Sequence, residues 1–184
     1  MTNSIHSLIK QNKKYNILYS DPPWTYSDKA SAGKRGAGYK YPCMSMAELI
    51  ELPVKQITAD DCALFLWVTM PLLPEGITLL RAWGFYYKTV AFTWVKTNKK
   101  AFSLFWGMGN WTRACCELCL LGVKGKPKRI AKNVHSTIVR PIMRHSAKPP
   151  EVRHQIVKLM GDLPRLEMFA RERMSGWDAM GNEV

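Results

Sequence analysis

Acidic side chains are scarce in this chain: 14 Asp and Glu stand against 27 Lys and Arg, for a formal net charge of +13. The shortage is sharpest between residues 96 and 148, where Glu117 is the one acid among twelve cations. A surface of that kind gathers polyanions, so a nucleic acid is the expected partner. Long apolar runs are missing as well. None approaches the roughly 20 residues that a membrane span needs, and Met1–Lys14 is polar and basic, unlike a secretory leader. No membrane association is expected. The phosphate-cradling pattern G-x-x-x-x-G-K-[ST] is also absent, so the cluster Gly33, Gly36, Gly38 is not a nucleotide loop. Cysteines number five, and three of them (Cys115, Cys116, Cys119) lie in one apolar segment. Successive strand residues point to opposite faces, so these three do not converge on an ion, and no metal is expected. Free thiols of this kind suit a reducing compartment.

At 184 residues and 47% hydrophobic, the chain suffices for one domain, 1–184, with a substantial core. Runs of strand formers fall at Tyr15–Ser20, Ala63–Val68, Lys88–Trp94, Glu117–Val123, Thr137–Val139 and Arg165–Phe169. Helices are expected between them. Ser45–Leu52 opens with Ser45 and Glu48 in capping-box spacing, Pro74–Trp83 ends at Gly84, and Pro150–Met160 ends at Gly161. Alternation of this sort predicts an α/β fold with a mostly parallel sheet, helices on both faces, and ligands beyond the carboxyl ends of the strands. Residues 25–42, rich in glycine and tyrosine, read as a lid over that crevice. Within 96–148, Phe102, Phe105, Trp106 and Trp111 interleave with the cations and offer stacking planes beside phosphate partners. The residues expected to touch nucleic acid are Lys34, Arg35, Lys96, Lys99, Lys100, Trp111, Arg113, Lys126, Lys128 and Arg129. The same exposed aromatics would also serve a homodimer, and the sequence does not fix the oligomeric state.

Asp21-Pro22-Pro23-Trp24 follows the first of these strands. A carboxylate, two residues of fixed φ and an aromatic plane form a holder for an aromatic amine. Such an amine is a poor nucleophile because its lone pair is delocalised into the ring. If Asp21 and the Pro22 carbonyl accept its two hydrogens, the lone pair localises toward an incoming methyl group. Read without context, the tetrapeptide is also compatible with an ordinary turn after a strand.

Its company along the chain decides between these readings. Tyr41-Pro42-Cys43-Met44-Ser45, Leu64-Phe65-Leu66-Trp67-Val68-Thr69, Trp94-Val95-Lys96-Thr97, Gly107-Met108-Gly109-Asn110-Trp111-Thr112-Arg113, Gly122-Val123-Lys124-Gly125, His145-Ser146-Ala147-Lys148-Pro149, Leu166-Glu167-Met168-Phe169-Ala170-Arg171 and Gly176-Trp177-Asp178-Ala179-Met180-Gly181-Asn182-Glu183 follow in order. In these segments the chain resembles the MT-A70 family of adenine N6-methyltransferases over most of its length. The resemblance implies a Rossmann-like, S-adenosylmethionine-dependent methyltransferase fold in permuted order, with the catalytic strand ahead of the cofactor strand. It implies catalytic roles for Asp21, Pro22, Pro23, Trp24 and Tyr41. It implies cofactor contacts from Asp21, Lys124, His145, Ser146, Glu167, Met168, Phe169, Arg171, Asn182 and Glu183, Lys124 meeting the cofactor carboxylate. His145, Ser146 and Lys148 precede the helix near Pro150, whose dipole would orient the methionine end. The short single-domain form is similar to bacterial and phage enzymes that modify DNA, which implies a site-specific, adenine-directed DNA methyltransferase in the cytoplasm of a bacterial or phage-infected cell. RNA is the alternative substrate, and a non-catalytic nucleic-acid-binding partner protein is the alternative class.

Overall fold

The computed structural model describes residues 2–25, 43–101, 103–109, 111–144 and 147–184. In chain order these form α1 (Thr2–Lys10), β1 (Tyr15–Ser20), α2 (Met46–Glu51), β2 (Thr58–Val68), α3 (Leu73–Ala82), β3 (Tyr86–Thr97), β4 (Cys116–Lys124), β5 (Thr137–Pro141), α4 (Glu151–Met160), β6 (Arg165–Met168) and β7 (Asp178–Met180), with short 3-10 turns before β2 and α3. The expected lid, apart from Thr25, lies outside the described residues.

The seven strands make one sheet in the order β5-β3-β4-β2-β1-β6-β7. β1 runs parallel to β2 and β6, β6 to β7, and β3 to β5, while β4 is antiparallel to both β2 and β3. Six strands therefore point one way and β4 the other. One consequence governs the site: the start of β4 lies at the same end of the sheet as the carboxyl ends of all the others.

Alternation along the strands sends side chains to two cores. Leu18, Leu64, Leu66, Val68, Leu120, Leu166 and Met168 face α1, α2 and α3, against Ile5, Leu49, Leu79 and Leu80. Ile17, Tyr19, Ala63, Phe65, Trp67, Phe92, Trp94 and Cys119 face α4, against Val152, Ile156 and Met160. Helices thus cover both faces, as the strand runs predict. Local chemistry agrees with the elements: at α2 the Ser45 Oγ accepts from the Glu48 N–H at 3.3 Å, and Glu48 Oε2 accepts from the Ser45 N–H at 2.7 Å. β2 is longer than expected, beginning at Thr58, since polar Asp60 and Asp61 interrupt its apolar run while its backbone still pairs. Neither α1 nor β7 is apparent from apolar runs. α1 is a polar helix that inserts Ile5 into the core, and β7 is three residues long.

Candidate active site

Register gathers the chemistry on the α4 face at the carboxyl end. Tyr19 and Asp21 share a face by period two, Glu167 is paired with Tyr19 across β6, and Glu117 with Trp94 across β4. Asp21 Oδ2 accepts from Lys148 Nζ at 2.7 Å. The same ammonium stands 3.4 Å from Glu117 Oε2, and Glu117 Oε1 is 2.5 Å from Lys96 Nζ. A continuous chain of alternating charge, Asp21–Lys148–Glu117–Lys96, therefore runs along the strand ends. Its members are mostly buried: the Lys148 side chain is 10% exposed, Glu117 16%, Lys96 20% and Asp21 29%. Beneath it, the Trp67 ring lies 5.8 Å below the Lys148 ammonium, and the Trp67 indole N–H donates to the Tyr19 hydroxyl at 2.8 Å.

Electrostatics differ along this chain. Burial raises the Asp21 carboxyl above its ordinary range, and Lys148 opposes that only in part. For Glu117 burial acts the same way, but Lys148 and Lys96 together overturn it and hold its carboxyl low. Burial disfavours the Lys148 ammonium, yet Asp21 and Glu117 outweigh it and raise its hold on the proton. The site thus pairs a cation whose hold on its proton is raised with one carboxyl held low, Glu117, and one raised by burial, Asp21.

Asp21 opens on a cleft of about 40 Å³ lined also by Tyr19, Lys148, Glu167, Phe169 and Arg171. Glu167 is clamped by Arg153 of α4 through paired bonds of 2.6 and 2.7 Å, both side chains 10% exposed. Phe169 follows β6 with φ of +61°, a conformation that costs a non-glycine residue about 1 kcal/mol and recurs where a site fixes its backbone. Arg171 Nε donates to Glu183 Oε1 at 2.8 Å, which draws the segment after β7 to the cleft, and Asn182 beside it is exposed.

The structure places several of the expected residues away from the cleft or within other contacts. Lys124 ends β4 opposite Cys62, at the amino ends of β1 and β2, and donates to Thr58 Oγ1 at 2.9 Å; the antiparallel strand carries it away from Asp21, and Lys148 is the cation that stands there. Trp24 is no open stacking plane. It is 7% exposed, and its indole N–H donates to the Trp67 carbonyl at 3.1 Å, so it anchors the turn. Met168 is fully buried on the face covered by α1, α2 and α3, away from the cleft. Lys96 is tied to Glu117 rather than offered to a polyanion. Lys126, Lys128 and Arg129 follow β4 at the amino end, where the Lys126 N–H donates to Asp61 Oδ1 at 2.7 Å; they share no face with Lys99, Lys100 and Arg113. Tyr41, Lys34, Arg35, His145 and Ser146 lie outside the described residues. The Pro22 carbonyl accepts from the Trp24 N–H at 2.9 Å and the Pro23 carbonyl from the Met44 N–H at 2.8 Å, so the turn is held from both sides.

Sequence reasoning missed Glu117, Arg153 and Tyr19 as site residues. The solitary acid in a run of cations at a strand start was the available signal for Glu117. Arg153 carries none, since a charged helix residue is ordinarily solvated. Among the described residues no group of three His, Cys, Asp or Glu is placed to hold a metal ion, and no helix is long and apolar enough to cross a membrane.

A mostly parallel sheet with helices on both faces and a proline-stiffened, carboxylate-bearing turn at a carboxyl edge defines a Rossmann-like α/β protein. Comparison with known proteins narrows the class. The MT-A70 family matches residues 15–183. The Type II methyltransferase M.MunI of Mycoplasma sp is 37% identical, aligned over 94% of this chain and 78% of its own. The MT-A70-like N(6)-adenosine-methyltransferase of Arabidopsis thaliana and the N(6)-adenosine-methyltransferase catalytic subunit METTL3 of Homo sapiens are each 30% identical over 92% and 93% of this chain, which spans 24% and 28% of their lengths. The chain belongs to the MT-A70 family.

Proposed function

We propose that the protein transfers a methyl group from S-adenosylmethionine to the N6 amine of an adenine in DNA. The observation that carries this reading is the Asp21 carboxylate, which lines the cleft with one oxygen, Oδ2, committed to Lys148. The residues present fit the cofactor by chemistry. Asp21 and Lys148, 2.7 Å apart, match the ammonium and carboxylate of an amino-acid end, Phe169 offers an apolar ring, and Asn182 with Glu183 offers acceptors for a ribose diol. A partly open cleft of about 40 Å³ takes only one end of such a molecule, which leaves the remainder over the exposed segment after β7.

When bound, the cofactor supplies an electrophilic sulfonium methyl. Asp21 Oδ1 and the Pro22 carbonyl accept the two N6 hydrogens and localise the lone pair. Once N6 carries the methyl group it would be acidic, and Asp21 or water would take its proton. Lys148 keeps Asp21 in place, and Glu117 keeps Lys148. The adenine must leave its stack to reach this turn. DNA is preferred because the relative matched over most of its length is a Type II methyltransferase, whereas the chain covers about a quarter of the N(6)-adenosine enzymes.

The test is to incubate the protein and the cofactor with DNA and with RNA and to digest the products for mass analysis. N6-methyladenine in DNA is expected, and Asp21→Ala should remove it while leaving DNA binding intact. Product in RNA alone would reassign the substrate, and retained transfer by the variant would end the mechanistic claim.

A further inference from the structure

The described residues between β3 and β4 (98–101, 103–109 and 111–115) are fastened more closely than a connection of that length requires. Lys96 is bonded on both sides, its N–H to the Cys115 carbonyl at 2.8 Å and its carbonyl to the Phe105 N–H at 2.9 Å. Thr97 bridges to Leu104, and the Gly107 N–H donates to the Ala114 carbonyl at 2.8 Å. The Arg113 guanidinium spans the resulting ribbon, with Nη2 donating to the Trp106 carbonyl at 3.1 Å and Nε to the Gly107 carbonyl at 3.4 Å. A Cβ on Gly109 would come within 2.1 Å of the Thr112 carbonyl oxygen, so the tip closes only around glycine. At that tip Trp111 is 98% exposed and Met108 94%. Large apolar groups held in water on a fastened backbone mark a contact surface rather than a packing element.

We infer that this tip is a wedge that enters a base stack and fills the space left by the adenine drawn to Asp21, an inference that rests on the function proposed above. Charge selects the occupant. Lys99 and Lys100 open the same excursion and line, with Arg140, a groove of about 410 Å³ with no acid among the described residues of its lining. Arg140 is paired with Glu151, so the two lysines are the cations facing outward. A polyanionic backbone suits this groove, whereas a second copy of a +13 chain would bring like charge to it. Apolar wedges beside phosphate-binding cations are a general means of unstacking bases. Position agrees as well: the ribbon leaves the sheet at the end that carries Asp21, and β3 lies three strand spacings from β1, roughly 14 Å. Lys96, whose backbone holds the ribbon, joins Asp21 through Glu117 and Lys148, so a continuous chain of contacts connects wedge and amine holder.

The experiment compares wild type, Trp111→Ala and Trp111→Phe on two DNA duplexes of one sequence, the first fully paired and the second with the target adenine opposite an abasic site. Trp111→Ala should lose at least about tenfold in kcat/KM on the paired duplex and less than about twofold on the other, where extrusion is nearly free, with Phe restoring most of the loss. Equal loss on both duplexes, or none on either, would overturn the wedge. So would a changed sedimentation mass for Trp111→Ala, which would give the tip to a second copy of the chain. Failure of the wild type on both duplexes would refute the proposed function itself, and the wedge with it.

Discussion

The two ends of the sheet carry similar residues and treat them differently. At the amino end, Lys13 and Tyr15 both donate to Asp178 Oδ2, at 2.7 and 2.6 Å, but the Lys13–Asp178 pair is about 40% exposed on each side. Lys124 satisfies itself on Thr58, and Gly125, with φ of +65°, turns the chain so that Asp61 accepts from the next N–H. These are local closures of strand starts, and water screens them. At the carboxyl end, Asp21, Lys148, Glu117, Glu167 and Arg153 come from four separate segments and sit at 10 to 29% exposure. Bringing charges that far out of water opposes folding unless each is paired. A charge run in the sequence therefore says little about role; the strand that carries each charge, and its direction, decides whether it is solvated or held.

Breaking the comparison should show this asymmetry. The largest effect is expected in transfer: Asp21→Ala should lower the rate at least about a hundredfold, while Asp178→Ala, an acid at the other end, should change it less than about twofold. A comparable loss in both would abolish the distinction. Stability comes next. Arg153→Met strands Glu167 and should cost about 3 kcal/mol in denaturant unfolding, whereas Lys13→Met should cost less than about 1 kcal/mol. The pH profile sharpens the account of Asp21. The carboxylate must be ionised to accept an amine hydrogen, and burial raises its pKa, so kcat/KM should fall as pH drops through a value above the ordinary carboxylate range. Lys148→Met removes the ammonium that opposes burial, and the acidic limb should move to higher pH; a limb that stays or moves lower contradicts the pairing. The smallest effect concerns binding. Double replacement of Lys99 and Lys100 by Ala should lessen the log–log salt slope for DNA by about 2, and the same change at Lys126 and Lys128 should leave it unaltered.

Much of this fold is readable from residue pattern. Tyr15–Ser20, the capping box at Ser45 and the glycine-stopped helix before β6 need only propensity and period, and the structure returns them nearly residue for residue. Strand direction is not contained in those signals. The run from Cys116 to Lys124 looks like the other buried strands, yet it pairs antiparallel with both neighbours. That reversal moves Lys124 away from Asp21, brings Glu117 toward it, and divides the basic stretch between opposite ends. Trp24 misleads for another reason, because an aromatic after a turn can stack on a ligand or fasten the turn, and only the bond to the Trp67 carbonyl distinguishes the two. The Asp21 turn is legible as a turn from its two prolines, whereas its chemistry is suggested only together with the segments that follow it in order.

The central claim is that cofactor chemistry belongs to the carboxyl end, with Lys148 rather than Lys124 as its cation. Calorimetric titration of S-adenosylmethionine into wild type, Lys148→Met and Lys124→Met tests it most directly. At least about a tenfold loss of affinity is expected for Lys148→Met, as for removal of a charge-assisted contact, and no measurable change for Lys124→Met; the opposite order would contradict the account.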